Sequence, residues 1–368
     1  GASFGFAFQS FLFFITSIFF PLNRIHAITV SILLFLLTGL LSNINSRYKP
    51  TRHITYSILD IIILLITSIF ICIAMYEANL EQGLYTRGPS FADLPFHMNI
   101  VSSFSHGINF NRTSIFDIWS CFQADIKLAY PVLHNFYISV LVNCNDMTMP
   151  IAFQITAVIL TFSFVILLHE VFLTFSKDRI VTLLSIPTWL LLGGLGYTML
   201  FYPHYYQQRS NNWILRFSSK HHATWMQPLV HILIPQRSAL FSSPLVFTCI
   251  LCFMRGVKKW DFSYFILAGF CTAFLPQIQV HSFVAIAQFA IATCLLFFPS
   301  KKEFWSAFFS WFIYAFISCL IGLPLTYPFW LRESENSSNF IRIQPFWSDN
   351  IYGKLYFPLV SVWWKSLG

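Results

Sequence analysis

Residues 54–76 read ITYSILDIIILLITSIFICIAMY, an apolar run that contains a single charged side chain, Asp60. About 20 predominantly apolar residues are enough for one α-helix to cross the hydrocarbon core of a bilayer. This run therefore predicts a membrane-spanning helix.

Eight further apolar runs have the same character. They cover residues 4–22, 27–44, 149–174, 181–201, 238–254, 262–276, 281–298 and 304–328. Across the chain, 56% of the residues are hydrophobic and 10% are charged, whereas soluble domains carry roughly 25% charged residues. This composition excludes a soluble enzyme, a disordered chain and a small disulfide-stapled module. We predict an all-α, polytopic transmembrane helical bundle of about nine spans, with residues 1–368 forming one domain of a longer protein.

The distribution of positive charge predicts an orientation. The chain has 22 Lys and Arg against 14 Asp and Glu, a net charge of +8, without a basic run long enough to indicate nucleic acid as a partner. Four short connections between apolar runs are basic, and Lys and Arg collect in cytoplasmic loops. These connections are Arg47–Arg52, Lys177–Arg179, Arg255–Lys259 and Lys301–Lys302. Placing them in the cytoplasm assigns loops 77–148, 202–237 and 329–358 to the opposite, lumenal side.

One apolar stretch inside the first of these loops conflicts with that orientation. A span over residues 130–143 would reverse every later loop against the charge rule. We therefore predict a re-entrant or interfacial helix, which requires burial in protein at membrane depth.

Two glycosylation sequons agree with the lumenal assignment. Asn111-Arg112-Thr113 and Asn336-Ser337-Ser338 both lie in predicted lumenal loops. We expect Asn111 and Asn336 to be glycosylated, and the protein to lie in the endoplasmic reticulum. Cys121 and Cys144 share the first of these loops and could pair in an oxidising lumen, which the sequence leaves open.

The first lumenal loop carries the strongest candidate for chemistry, the sequence DLPFH at Asp93–His97. Proline favours the first turn of a helix, and one helical turn separates Asp93 from His97, so both side chains share a face. A carboxylate and an imidazole could form a general-base pair or two metal ligands. The alternative is an N-cap aspartate beside a structural histidine.

Further along this loop, Lys127, Tyr130 and His134 could line a polar pocket, or anchor the chain at the membrane interface. A later lumenal corner between two apolar runs carries Gln277 and His281. Polar groups at membrane depth tend to face a cavity, so we assign Gln277 to the pocket.

A third candidate precedes the apolar run 238–254, where Pro235, Gln236 and Arg237 predict the start of a helix. Arg237 would lie where free backbone N–H groups and the positive end of the helix dipole gather, which favours a bound phosphate. Snorkelling to lipid headgroups is the alternative. The upstream part of this loop is basic although it is predicted to be lumenal, which indicates an anionic ligand or lipid headgroups; its basic residues are Arg209, Arg216, Lys220, His221 and His222.

Charged residues inside the predicted spans are few. Asp60 and the His169-Glu170 pair lie close to the span edges, and we interpret both as structural. A transporter more often places charges in mid-span, so the grouping of polar candidates on one face favours surface chemistry over transport.

Taken in order along residues 54–368, several motifs resemble those of GT-C type membrane glycosyltransferases. They are especially similar to uncharacterised multi-spanning proteins of that superfamily in prokaryotes. The motifs are Asp93–His97, Ser103-Phe104, Gly107, Asn109-Phe110, Tyr130-Pro131, Gly193–Gly196, Pro235–Arg237, His281 and Trp364–Gly368.

The resemblance implies an inverting enzyme that transfers a sugar from a polyprenyl (dolichyl) phosphate-linked donor to an acceptor hydroxyl at the lumenal face. Asp93 would act as the base or as a metal ligand, with His97 beside it, and Arg237, His281 and Gln236 would bind the donor phosphate. Many members carry two acidic residues in the first-loop motif, whereas Phe91 and Ala92 precede Asp93 here.

A requirement for Mg²⁺ or Mn²⁺ is therefore left open, and Asp117 or Asp125 could supply a second carboxylate. A lipid or solute transporter and a non-catalytic membrane scaffold of the same fold remain the alternative functions.

Overall fold

The computed structural model describes residues 2–45, 56–77, 80–81, 85–86, 93–191, 217–218, 223–224, 228–299 and 303–330. These residues are predominantly helical. The α-helices are α1 (Ala2–Thr16), α2 (Arg24–Asn45), α3 (Ile58–Glu77), α4 (Asp93–Ser105), α5 (Leu133–Asn145), α6 (Met149–Ser176), α7 (Arg179–Leu191), α8 (Arg237–Gly256), α9 (Phe262–Ile278), α10 (Val280–Phe297) and α11 (Phe304–Trp330).

Short elements supplement the helices. Two antiparallel pairs of two-residue strands are present, β1 (Leu80–Glu81) with β2 (Tyr85–Thr86) and β3 (Phe217–Ser218) with β4 (Ala223–Thr224). A single π-helical turn, Pro228–Leu233, precedes α8.

Each of the nine predicted apolar runs contains a helix, and five of these helices are long and apolar enough to cross a membrane. The five are Ile58–Glu77, Met149–Ser176, Arg237–Gly256, Val280–Phe297 and Phe304–Tyr327. Four other apolar helices or helix segments are shorter, namely Ala2–Thr16, Arg24–Leu37, Arg179–Leu191 and Phe262–Ile278. The protein is therefore an integral membrane protein of the helical class.

The short helix α9 ends at Ile278 because the chain turns sharply at Gln279. Gln279 has extended backbone angles (φ −160°, ψ 111°), which separates α9 from α10 by a sharp corner. The Asp261 carboxylate accepts a hydrogen bond from the Ser263 N–H at the other end of α9 and so caps it. The corner gives α9 17 residues rather than a longer continuous helix.

Aromatic side chains fill the centre of the bundle. Phe253 of α8 packs against Phe265 of α9 and against Trp311 and Tyr314 of α11, with ring centroids 5.0–6.2 Å apart. In contrast, α2 and α3 expose rows of Ile, Leu and Phe side chains. In a helix of an integral membrane protein, such rows face lipid.

The helix ends define two faces of the bundle. At the basic end, α3 and α7 begin while α6 and α8 end, and Arg255 near the end of α8 pairs with Glu170 of α6 at 3.1 Å. At the opposite end, which we call the site end, α6, α8 and α10 begin. There the end of α9 joins the end of α11 through a hydrogen bond from Gln277 Nε2 to the Leu325 carbonyl (2.7 Å).

The helices α4 and α5 and the connection between them form a compact layer at the site end. The 13-residue helix α5 is buried along most of its length and packs against α4, α1 and α6. It begins at Leu133, later than the predicted start at residue 130, and protein rather than lipid surrounds it. This burial meets the requirement that a re-entrant or interfacial helix be enclosed by protein.

The connection between α4 and α5 is fastened at two points. Asn109 Nδ2 donates to Ser103 Oγ (2.6 Å) and to the Trp119 carbonyl (2.8 Å), and its Oδ1 accepts from the Trp119 N–H. The buried guanidinium of Arg112 donates to the Phe14 carbonyl and to Ser17 Oγ, which fixes the connection to the end of α1.

Candidate functional site

The helix α4 presents Asp93 and His97 to the site end. The helix begins at Asp93, with Pro95 as its third residue, where a missing N–H costs no intrahelical bond. Asp93 is half-buried, and burial raises the pKa of its carboxyl group above the ordinary value. A carboxylate with a raised pKa binds a proton more readily, which suits a general base.

His97 lies one turn further on and is 3% exposed. Its Nδ1 is 3.0 Å from Oδ1 of Asn135 in α5, and a carboxamide oxygen can only accept, so Nδ1 carries the proton. Burial lowers the pKa of His97 to about 4. The imidazole is consequently neutral at pH 7, with an unprotonated Nε2.

His134 stands beside His97 on the first turn of α5. The two rings are T-shaped with centroids 6.1 Å apart, and His134 also packs edge-on against Phe241 of α8 at 5.5 Å. Burial lowers the pKa of His134 well below its ordinary value, and the neighbouring His97 and the charge of Arg237 lower it further.

Arg237 is the first residue of α8 and is 3% exposed. Its positive charge lowers the pKa of both His97 and His134, so the guanidinium is electrostatically coupled to both rings. The first turn of α8 has backbone N–H groups without helical acceptors, which adds positive potential at the same place.

Tyr130 lies beside the His97 ring. Its ring contacts Phe96 (4.8 Å between centroids, T-shaped) and lies 6.1 Å from the His97 ring. Burial and the charge of Asp93 raise the pKa of Tyr130 to about 12, so it remains a neutral hydroxyl donor. We call this assembly the site cluster; its members are Asp93, His97, Tyr130, His134, Asn135 and Arg237.

Asn135 is the member that sequence reasoning missed. It is 1% exposed, and its Nδ2 has no hydrogen-bond partner among the described residues. It follows His134 directly in a helix predicted to be buried, but this position alone does not distinguish it from a structural asparagine. An asparagine buried in an apolar helix needs a partner, because a buried unpaired donor costs about 1–3 kcal/mol.

Four other predicted site residues lie outside these contacts. The ammonium of Lys127 pairs with Asp117 at 3.2 Å and lies over the Trp119 ring. Gln277 is buried but its Oε1 accepts from the Val132 N–H (3.3 Å), and its Nε2 bonds the end of α11, so it joins helices. His281 is exposed, and the exposed Gln236 accepts a hydrogen bond from Gln279.

The structure describes only some of the predicted modification sites and motifs. Asn111 and Thr113 are exposed, as an acceptor sequon requires, while Asn336 lies outside the described residues. Cys121 and Cys144 are separate thiols rather than a disulfide. The basic residues of loop 202–237 upstream of the π-helical turn, and the motifs Gly193–Gly196 and Trp364–Gly368, also lie outside the described residues.

Within the described ranges, no group of three or more His, Cys, Asp or Glu side chains is arranged to hold a metal ion. Asp117 pairs with Lys127 at 3.2 Å, and Asp125 is exposed on the connection between α4 and α5.

A second buried polar group lies at the basic end. The imidazole of His169 stands between two carboxylates, with Nε2 4.0 Å from Asp60 Oδ1 and Nδ1 3.7 Å from Glu170 Oε1. Arg179 pairs with Asp60 at 3.0 Å, and Arg255 pairs with Glu170. Asp60 and the His169-Glu170 pair are far apart in the sequence, but in the structure they form one network that joins α3, α6, α7 and α8.

Comparisons of the chain with protein-family models, with curated proteins and with solved structures found no match.

Proposed function

We propose that this protein is a membrane glycosyltransferase of GT-C type. It transfers a sugar from a polyprenyl (dolichyl) phosphate-linked donor to an acceptor hydroxyl at the site end. One observation carries the proposal: Asp93, His97, His134 and Arg237 belong to three helices yet gather at one end of a membrane protein. A base and a cation at the same bilayer surface are what this reaction requires.

The proposed roles follow from the electrostatics of each group. The acceptor hydroxyl oxygen attacks the anomeric carbon, the bond from that carbon to the phosphate oxygen breaks, and the hydroxyl proton passes to the Asp93 carboxylate. Negative charge grows on the departing polyprenyl phosphate, and the buried cation of Arg237 stabilises it. Attack opposite the leaving group inverts the anomeric configuration.

The orientation is part of the same proposal. In this orientation all nine apolar helices span the membrane. The basic end is cytoplasmic, and the site end faces the lumen of the endoplasmic reticulum. The positive charge at the basic end and the exposed sequon at Asn111 support this arrangement.

The test uses membranes that contain the full-length protein and a panel of dolichyl-phosphate sugars. We expect one donor to release dolichyl phosphate, and Asp93→Asn to reduce that release at least 100-fold, the lower range of general-base contributions. Asp125→Asn is the matched control, because Asp125 is exposed and asparagine tolerates its positive φ of 58°. Equal release by wild-type protein and Asp93→Asn would contradict the proposal.

A lipid or solute transporter is the second candidate, and the buried Asp60–His169–Glu170 network favours it, because ionisable groups inside spans often mark transport pathways. This function predicts substrate flux that His169→Gln abolishes and Asp93→Asn leaves intact. If the protein is a glycosyltransferase, Asp93→Asn should abolish sugar transfer and His169→Gln should leave it intact. A non-catalytic scaffold would show neither activity.

A further inference from the structure

The imidazole of His169 lies at the basic end with a carboxylate beside each of its nitrogens. Its Nε2 is 4.0 Å from Oδ1 of Asp60 in α3, and its Nδ1 is 3.7 Å from Oε1 of the adjacent Glu170. His169 and Asp60 are each 1% exposed, and Glu170 is 7% exposed. An ionised carboxylate only accepts hydrogen bonds, so neither of these neighbours can donate to the ring.

Both carboxylates already have positively charged partners. Oδ2 of Asp60 pairs with Nε of Arg179 at 3.0 Å and accepts from a backbone N–H at 2.7 Å. Oε2 of Glu170 accepts from Arg255 at 3.1 Å, and its Oε1 accepts from the hydroxyl of Tyr56 at 2.8 Å. Each buried negative charge is thereby paired, as burial requires, and neither carboxyl group needs a proton of its own.

These contacts suit an imidazole that carries two protons. A neutral ring has one N–H and one bare nitrogen, so it can donate to one carboxylate while its lone pair faces the oxygen of the other. Among the described residues, Oδ1 of Asp60 and both ring nitrogens of His169 have no partner at hydrogen-bond distance. An imidazolium has an N–H on each nitrogen and offers a donor to both carboxylates.

We propose that His169 is a proton-binding site that fastens α3 to α6. In the protonated state Nε2–H faces Asp60 across the interface between the two helices, and Nδ1–H faces Glu170. Loss of the proton removes one of these two attractions and leaves a lone pair against a buried carboxylate oxygen. The inference is independent of the proposed function, because neither Asp93 nor sugar transfer enters it.

The position of Asp60 makes this contact important for packing. The buried side chains of α3 form one narrow stripe at helical spacing, namely Asp60, Leu64, Ser68, Ile71 and Met75. The helix packs chiefly against α6 and exposes its other faces. Lipid tails are as apolar as the leucine and isoleucine of the stripe, so apolar contact alone distinguishes poorly between docking on α6 and remaining in lipid. The charged contact at Asp60 supplies that distinction.

The other charged groups around His169 tolerate an added proton. The titratable and charged groups that face it from the surrounding segments are Asp60 of α3, Tyr56 just before α3, Glu170 of α6, Arg179 of α7 and Arg255 of α8. The two arginines are matched by the two carboxylates. Their side chains are 49% and 40% exposed, so water screens their repulsion of an imidazolium.

Denaturant unfolding of the purified full-length protein in detergent at pH 6 and pH 8 tests the proposal. A contact that needs the proton is present at the lower pH and is lost as the pH rises. The folding equilibrium constant of wild type relative to His169→Gln should therefore fall about threefold or more between the two pH values. His97 and His134 are unchanged in both proteins, so their opposite pH dependence cancels in this ratio. His106→Gln is the matched control, because His106 is exposed and its ratio to wild type should stay constant.

A second measurement reads the ring in the wild-type protein and so does not depend on how a variant folds. His169-Glu170 is the only His-Glu step in the chain, so isotope labelling of His and Glu assigns its solid-state NMR signals in lipid bilayers. We expect the ¹⁵N shifts of His169 at pH 6 to be those of a ring protonated on both nitrogens. A neutral ring at pH 6 would overturn the inference and indicate a water between Nε2 and Asp60. A ratio of wild type to His169→Gln that stays constant between pH 6 and pH 8 would also overturn it.

Discussion

At the scale of single residues, the site cluster depends on two buried histidines that stay neutral. A neutral His97 donates through Nδ1 to Asn135, and its Nε2 can accept a proton or a hydrogen bond. Burial imposes this state, since a charged imidazole beside Arg237 would be penalised by both desolvation and repulsion.

The neutral state predicts a pH dependence of stability. The folded pKa of His97 is about 4 against an unfolded value near 6.5, so between these values the unfolded chain binds the extra proton. Stability is therefore fully present above about pH 6.5 and falls as the pH is lowered towards 4, by up to about 1.4 kcal/mol per pH unit for each such histidine.

Thermal unfolding in detergent at a series of pH values measures this effect. His97→Gln should flatten the fall in midpoint below pH 6.5, because glutamine does not titrate. His106→Gln is the control, since His106 is exposed beyond the end of α4. A slope that survives in His97→Gln and in His134→Gln would contradict the burial argument.

At the scale of elements, the position of α4 and α5 depends on one arginine between them. The Arg112 guanidinium lies over the rings of Phe14, Phe136 and Phe104, at 4.3, 4.8 and 5.4 Å from their centroids. Burial lowers its pKa to about 9, so it keeps its charge at pH 7. Hydrogen bonds and cation–π contacts together hold the connection against α1.

Arg112→Met should therefore loosen the layer that carries the site. We expect a loss of about 2–4 kcal/mol of unfolding free energy, because the variant removes the two hydrogen bonds and the cation–π contacts that hold the connection against α1. Arg24→Met removes an exposed pair with Asp146, and should cost about 0–1 kcal/mol. Similar losses in both variants, measured by denaturant unfolding, would show that Arg112 is not a special anchor.

Helix packing between α9 and α11 depends on small residues. A Cβ at Gly269 would lie 3.0 Å from Ile317 Cβ and 3.2 Å from the Tyr314 carbonyl oxygen. At Gly322, in the same interface, the nearest atom would be 3.5 Å away, an ordinary contact. The two glycines thus form a matched pair for substitution.

Gly269→Ala should destabilise the bundle by about 1–3 kcal/mol, because backbone and a β-branched side chain must move apart. Gly322→Ala should be neutral or slightly stabilising, since alanine favours the helix. The measurement is the unfolding midpoint of each variant in the same detergent. The reverse order would mean that the α9–α11 contact relaxes more easily than its distances indicate.

At the scale of the whole molecule, the two ends of the bundle differ in their chemistry. The basic end pairs each buried carboxylate with an arginine, whereas the site end holds neutral imidazoles, one half-buried carboxylate and a buried arginine. The first arrangement joins helices through balanced charges, and the second includes an amide nitrogen, Nδ2 of Asn135, without a hydrogen-bond partner among the described residues.

The orientation across the membrane can be tested directly. Expressed in microsomes, Asn111 and Asn336 should receive glycans, whereas an acceptor tag inserted at Lys258 should not, because that connection is predicted to be cytoplasmic. The readout is a mobility shift that an endoglycosidase removes. A modified tag at Lys258 with both native sequons unmodified would invert the orientation.

The candidate site could be predicted only in part. The sequence singles out Asp93, His97 and Arg237 because each follows a local signal, a helix start marked by proline or a spacing of one turn. Lys127, Gln277 and His281 carry equally plausible local signals, but the fold gives them other contacts or exposes them. Asn135 has no local signal that separates it from a structural asparagine.

By itself the sequence determined the membrane class and the positions of the helices, because apolar length and composition act locally along the chain. Tertiary structure decided which polar groups meet. It placed His134 and Asn135 of α5 against His97 of α4, where the charge of Arg237 lowers the pKa of both histidines. It also brought His169 next to Asp60 and Glu170. Such pairings depend on how helices pack across a buried interior, and side-chain spacing within one helix carries no information about its neighbours.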